Sequence, residues 1–450
     1  MQISVIDWIV IGSFFLISTL IGIMASRRAG KSFSEYFLAG GRMPWWMLGL
    51  SMVATTFAAD TPNLVTDIVR KNGISGNWVW WSFLLTGLLT VFVYARLWKR
   101  SGVLTDLEFY EIRYSGGLGK WLRGFRAIYL GVIFNCVVMA TVILAGIKLG
   151  GILLGASPIM VVTVAGTVTV IYTLMGGLRG VILTDCFQFV IAMFGAVCAA
   201  IFLCDLPEVG GFQNLLQHEN VVGKLDLLPD FSKTESLLTL LILPLAVQWW
   251  SSWYPGAEPG GGGYVAQRML GARSEGDAAA ATLFFQIAHY ALRPWPWIIV
   301  ALASLVVFPD LPSIQAAFPH LDPKIVKDDL AYPAMLTFLP QGLLGVVIAS
   351  LIAAFMSTIS THLNWGASYL SHDFYRRFFD ADASDARLIL VGRIATVLLM
   401  MAAAVLALFL ESAMDGFQII LQIGAGTGLI YILRWFWWRI NAYTEITGMV

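Results

Sequence analysis

The sequence predicts an all-α polytopic membrane protein, built as a leading helix followed by an inverted repeat of five and five helices, each repeat opening on a broken helix. Composition is the first reason: of 450 residues 58% are apolar and only 12% charged, with a mean hydropathy of +0.76, where a soluble domain carries roughly 25% charged residues. Apolar stretches of about 20 residues, the length that crosses a bilayer, recur about eleven times, which is the second. The third is that two of these stretches are interrupted by groups a bilayer rejects, Ala58-Ala59-Asp60-Thr61-Pro62-Asn63 in one and Pro255-Gly256-Ala257-Glu258-Pro259-Gly260-Gly261-Gly262-Gly263 in the other. Unwound backbone at membrane depth survives only where protein buries it or where it lines a cavity, so two breaks in corresponding places mark a binding site near the midplane.

The spans fall near 5–25, 46–70, 77–98, 127–155, 158–176, 181–204, 236–270, 277–308, 341–371, 388–410 and 416–437. The first follows only four residues and has neither a basic n-region nor a small-residue cleavage site, so it reads as a retained helix rather than a signal peptide. The expected organisation is a leading helix and loop over 1–45, a first group of five spans over 46–204, a polar segment over 205–235, a second group over 236–437, and 438–450 as the start of a further span, with the chain either a fragment or a minimal member of its kind. An odd number of spans per group turns the second upside down relative to the first. The two halves share no visible residue-level similarity.

Charge placement predicts orientation. Of 28 Lys and Arg, 19 fall at alternate loops or span ends, 7 on the opposite side, and Arg293 and Arg393 within spans. Basic residues favour the cytoplasmic face, which puts the N-terminus and the 205–235 segment outside and the end of the eleventh span inside, in a bacterial inner membrane. The partners expected are the lipid bilayer and a small-molecule solute; a net charge of zero gives no sign of nucleic acid, and the oligomeric state is open. Cys136, Cys186, Cys198 and Cys204 lie in apolar spans without metal-ligand spacing and read as small buried hydrophobes. No G-x-x-x-x-G-K-[ST] phosphate loop occurs, and no nucleophile–base or metal constellation points to an enzyme.

Several segments then become recognisable. Tyr36-Phe37-Leu38-Ala39-Gly40-Gly41-Arg42-Met43-Pro44-Trp45-Trp46 resembles the Y-F-L-A-G-[KR]-x-L-P-W-W signature of the sodium:solute symporter family. Leu107-Glu108-Phe109-Tyr110-Glu111-Ile112-Arg113-Tyr114 is similar to its P-E-F-x-E-x-R-F, Tyr172-Thr173-Leu174-Met175-Gly176-Gly177-Leu178 to its Y-[ST]-x-x-G-G-L, and Gln267-Arg268 to its Q-R. Ala331-Tyr332-Pro333 and a polar ninth span complete the set. Leu107 stands where the family has Pro, and the Pro-Gly segment around Glu258 departs from its pattern. The resemblance implies the leucine-transporter-like fold and transport of a solute coupled to Na+.

The ninth span holds the clearest chemistry. Ala354, Ser357, Thr358 and Thr361 sit at i, i+3, i+4 and i+7, one face of a helix, with Ser360 beside them. Hydroxyls facing a helix break can replace the water shell of a hard cation, with unwound carbonyls supplying the remaining oxygens; the alternative is that they bond back to their own helix or glue helices together. The family match implies a first Na+ site from the carbonyls of Ala54, Phe57 and Ala354 and the hydroxyls of Ser357 and Thr358. It also implies, for members with this hydroxyl pattern, a second between Asp185, Ser360 and Thr361, where Thr184-Asp185-Cys186-Phe187-Gln188 resembles the family's T-D-x-x-Q. Read alone, Asp185 could equally be an interfacial carboxylate.

An ionisable group inside a membrane is costly unless paired or wet, so each marks a candidate site. Asp60, with Thr61 beside it, and Glu258 lie on the two breaks, and His289 and Arg293 are four apart on the eighth span. The acids either accept hydrogen bonds from a solute or pair internally with Arg293. His289 is either substrate-facing or a satisfied buried histidine, and Trp80, between Trp78 and Trp81, either walls the pocket or belongs to an interfacial belt. The expected function is a sodium-coupled symporter importing a sugar, polyol or amine-bearing solute. The rivals are an amino-acid or carboxylate symporter of the same family, a transporter-like membrane sensor domain and a passive channel.

Overall fold

The computed structural model describes residues 3–29, 31–114, 116–251, 260, 262–319, 323, 326–410 and 426–449. These form helices and connections with no strand, the only extended pairing being an isolated bridge between Met43 and Ala272. The leading helix α1 (Val5–Ala29) is anchored at its first turn by Asp7, whose Oδ1 accepts the N–H groups of Gly342 and Gly345, both at 2.7 Å. That carboxylate caps a helix start far along the chain, satisfying donors that have no partner inside their own helix.

Helices α2 (Trp45–Thr56) and α3 (Thr61–Asn72) are the halves of the first broken span. Phe57 leaves the helix at φ −88°, ψ 78°, and Pro62 restarts it in the first turn, where its missing N–H costs nothing. Helices α4 (Ile74–Trp81) and α5 (Leu84–Ser101) meet at a 43° bend, and α6 (Gly117–Gly151) follows. The 47 residues of α7 (Pro158–Cys204) contain both the fifth and the sixth expected spans, separated at Gly177 with φ 53°. Only glycine suits that point: besides the positive φ, a Cβ there would meet the Tyr36 carbonyl oxygen at 2.6 Å.

Helices α8 (Thr234–Ala246) and α9 (Gly263–Leu270) flank the second interruption. Residues 252–259, Glu258 among them, and 261 lie outside the described residues. Helix α10 (Glu275–Val307) carries a π-helical turn over Ile287–Leu292 just before Pro294 and Pro296, and α11 (Leu343–Arg376) and α12 (Asp385–Ala407) complete the bundle. Among the described residues six helices are long and apolar enough to cross a membrane, or seven if the α4–α5 pair counts as one span. Sequence scanning marks more, because a broken span divides into halves too short to qualify, α7 merges two, and 416–425 lie outside the described residues.

The core lies where α7 and α11 cross against α1, α2 and α10. Small residues permit the close approach: a Cβ on Gly195 of α7 would meet Ser350 Cβ of α11 at 2.7 Å. At the Ser101 end of the bundle, the loop residue Asp106 accepts the Gly263 N–H through Oδ2 at 2.8 Å and the Tyr369 hydroxyl through Oδ1 at 2.5 Å, while the Trp98 indole N–H donates to the Gly260 carbonyl. Burial pushes the Asp106 carboxyl up to about 6, against the pull of those donors. The restart of the second broken span is thus held from α5 and the loop that follows it.

Candidate ion and solute site

The first break and the polar face of α11 lie against each other. Thr358 Oγ1 donates to the Thr55 carbonyl at 2.9 Å and to the Ala354 carbonyl at 3.1 Å, crossing from α11 to the last turn of α2. Phe57 closes that turn by donating its N–H to Val53 and Ala54, then turns its own carbonyl out of the helical ladder. Ala54, Phe57, Ala354, Ser357 and Thr358 are all buried here. Their carbonyls and hydroxyls are an all-oxygen donor set of the kind a hard cation takes. Among the described residues no group of three His, Cys, Asp or Glu suits a transition metal.

Asp185 meets this cluster from α7. Its Oδ1 accepts from Ser357 Oγ at 2.7 Å and its Oδ2 from Ser51 Oγ at 2.5 Å. Ser360 donates back to the Ser357 carbonyl at 3.0 Å, and Thr361 Oγ1 pairs with Thr55 Oγ1 at 2.9 Å. The Asp185 carboxylate is therefore bonded to a member of the first predicted set rather than to Ser360 and Thr361.

A cation already sits beside it. Arg268, wholly buried on α9, places Nη2 3.7 Å from Asp185 Oδ2 and donates to Thr361 Oγ1 at 2.7 Å, Ser51 Oγ at 3.2 Å and Gln267 Oε1 at 2.9 Å. Gln267 in turn reaches Asn364 Oδ1 and the Phe37 carbonyl, both at 3.0 Å. Charge counting treats Arg268 as a span-end residue, and the structure instead buries it. Ser51, Thr55 and Arg268 are the members that residue patterns missed. The first two are four apart on α2, the same spacing that singles out the α11 hydroxyls.

On the other side of α2, Thr56 Oγ1 meets His289 Nδ1 at 3.1 Å and accepts from Arg293 Nη1 at 3.1 Å. The Arg293 guanidinium also lies 5.5 Å from the Trp297 ring centre, a cation–π arrangement. Trp80 is buried: its ring stacks on Tyr290 at 5.7 Å, meets His289 edge-on at 5.7 Å, and is fixed by its indole N–H to Asn77 Oδ1 at 2.9 Å. Asp60 and Thr61 are half-buried at the start of α3. Of the solute candidates the structure thus gathers Trp80, His289 and Arg293 around Thr56, with Asp60 and Thr61 at the adjoining break and Glu258 outside the described residues. Thr56 lies between the two predicted sets, next to Phe57 of the ion candidates and bonded to His289 and Arg293 of the solute candidates.

Comparison with known proteins bears on this arrangement. The sequence profile described as the Sodium:solute symporter family matches residues 36–450. The sodium/glucose cotransporter of Vibrio parahaemolyticus is 25% identical over 99% of this chain and 83% of its own length. The sodium/sialic acid symporter of Aliivibrio fischeri is 26% identical over 96% of this chain and 83% of its own. A solved structure of a Na+-coupled sialic acid symporter, substrate-bound and outward-open, shares the fold, with a TM-score of 0.79 at 22% identity over 99% of this chain and 90% of that one. The profile match covers almost the whole sequence, and the chain belongs to the sodium:solute symporter family.

Proposed function

We infer that this chain is a sodium-coupled secondary symporter of a small polar organic solute, working by alternating access. The observation that carries the reading is the oxygen cluster between the α2 break and α11, where Thr358 Oγ1 lies 2.9 Å from the Thr55 carbonyl. Na+ binds the carbonyls of Ala54, Phe57 and Ala354 and the hydroxyls of Ser357 and Thr358, tying the broken span to the bundle. A second Na+ at Asp185, Ser360 and Thr361 displaces the Ser357–Asp185 bond. Because ion and solute each favour the same state, each strengthens the other's binding by the same factor.

The solute is a sugar, polyol or amine-bearing compound. Trp80 supplies an aromatic wall, and Thr56, His289, Arg293, Asp60, Thr61 and Glu258 supply the polar contacts. The relatives' sugar and sialic acid substrates agree with a polyhydroxylated ligand. Proteoliposomes given an inward Na+ gradient and a labelled panel of sugars, polyols, amino acids and sugar acids test this. Accumulation of one class that collapses when the Na+ gradient is dissipated is expected, and accumulation unaffected by Na+ rules the reading out.

The two groups of five spans, 46–204 and 236–437, are proposed to move against each other, in a bacterial inner membrane with the N-terminus outside. Cysteines introduced over 372–380, in a background lacking the four native ones, are expected to resist an impermeant thiol reagent in whole cells, and those over 210–230 to react. Labelling of the first set from outside reverses the orientation.

A further inference from the structure

We propose that a cavity between α1, α6, α7 and α11 binds one acyl chain of a bilayer phospholipid. The cavity measures ≈ 160 Å³ and is lined by apolar residues from each of the four helices, among them Ile11, Leu149, Val161 and Ile352, with no charged or hydroxyl-bearing side chain. Its mouth is formed by Trp8, Met160 and Val164, about half exposed on the outer faces of α1 and α7. In a chain that spans a membrane those faces meet hydrocarbon, so the cavity is continuous with the protein–lipid boundary. Its inner end is closed by the buried residues Ala59, in the unwound link between α2 and α3, and Phe355.

Chemistry and size select the occupant. A dry apolar cavity of about 150 Å³ holds a molecule the size of benzene and excludes water. The space therefore takes about six carbons of a flexible chain, too little for a fused sterol ring system or a partner helix. The bilayer supplies acyl chains at the mouth, and only the end of one has to enter. It would come to rest against Ala59, where the ion-site helix changes direction. The proposal depends on the membrane-spanning arrangement alone and stands whether or not the transported solute is a sugar.

The test uses the full chain in bilayers containing phosphatidylcholine with a diazirine near the end of one acyl chain. After photolysis, labelled peptides are quantified by mass spectrometry. Peptides covering 146–165 and Phe355 are expected to carry about tenfold more label per residue than the lipid-exposed residues Leu390, Ile394 and Leu398 of α12, the gain of roughly ten close van der Waals contacts that the cavity walls offer and fluid hydrocarbon does not. Ala165→Phe fills the cavity and is expected to remove that excess while leaving α12 labelling and the thermal midpoint unchanged. Should that variant fail to fold, Ile352→Phe narrows the space from the opposite wall. Cavity labelling no higher than that of α12, or labelling that survives the filling substitution, overturns the proposal.

Discussion

Arg268→Ala is expected to abolish sodium-driven uptake and to destabilise the Na+-free protein by about 3–5 kcal/mol, the cost of breaking a buried ion pair from one side. Both partners are wholly buried, so the loss leaves the Asp185 carboxylate with two serine hydroxyls and no cation. Three further hydrogen bonds go with the guanidinium, those to Thr361, Ser51 and Gln267, and α9 loses its polar tie to α2 while Gln267 keeps its bond to Asn364 of α11. Melting in detergent with choline in place of Na+ measures the effect. Adding Asp185→Asn to the alanine variant should recover part of the loss, because the uncompensated charge goes with it and neighbouring substitutions are not additive. A melting midpoint that Arg268→Ala leaves unchanged would mean that the pair bears no load.

The second large effect is expected at the ion. Ser357→Ala and Thr358→Ala each remove one oxygen of the proposed Na+ site with little change of volume. Each should weaken Na+ by about 1–3 kcal/mol, roughly tenfold to a hundredfold in affinity. Solute affinity at saturating Na+ should move far less. The two variants should also differ. Thr358 bonds across to the Thr55 carbonyl, so its loss loosens the α2–α11 contact as well, whereas Ser357 is bonded to Asp185. Uptake measured against Na+ concentration checks this, and an unchanged half-saturation in both variants removes the site.

The membrane class and the first broken span were legible in the sequence because each rests on a local signal. Apolar length marks a span, and Ala-Ala-Asp-Thr-Pro-Asn within one marks a break. The α11 hydroxyl face was legible too, since helical spacing puts its members on one side wherever the helix packs. The partner on the facing helix was not legible. That Thr358 meets Thr55, and that Ser51 bonds Asp185 134 residues away, depends on the crossing of α2, α7 and α11, which periodicity in any one of them does not contain. Arg268 misled for a related reason: a charge near a span end looks solvated until the neighbouring elements are in place. His289 and Arg293 were visible as a pair, but their shared partner Thr56 was hidden among ordinary helix residues.

The ties from Trp98 and Asp106 to Gly260 and Gly263 set an order of events. Any movement of the start of α9 away from α5 and the loop after it has to break both ties. At roughly 0.5–1.5 kcal/mol for the neutral one and 1.5–3 for the one to a carboxylate, together they form a toll of about 2–4.5 kcal/mol on that movement. Both act on backbone atoms of glycines held at positive φ, 85° at Gly260 and 56° at Gly263, so a side chain at either position strains the tie as surely as a change at Trp98 or Asp106 removes it. The start of α9 is thus latched from α5 and the loop after it, by residues that belong to neither the proposed ion set nor the proposed solute set.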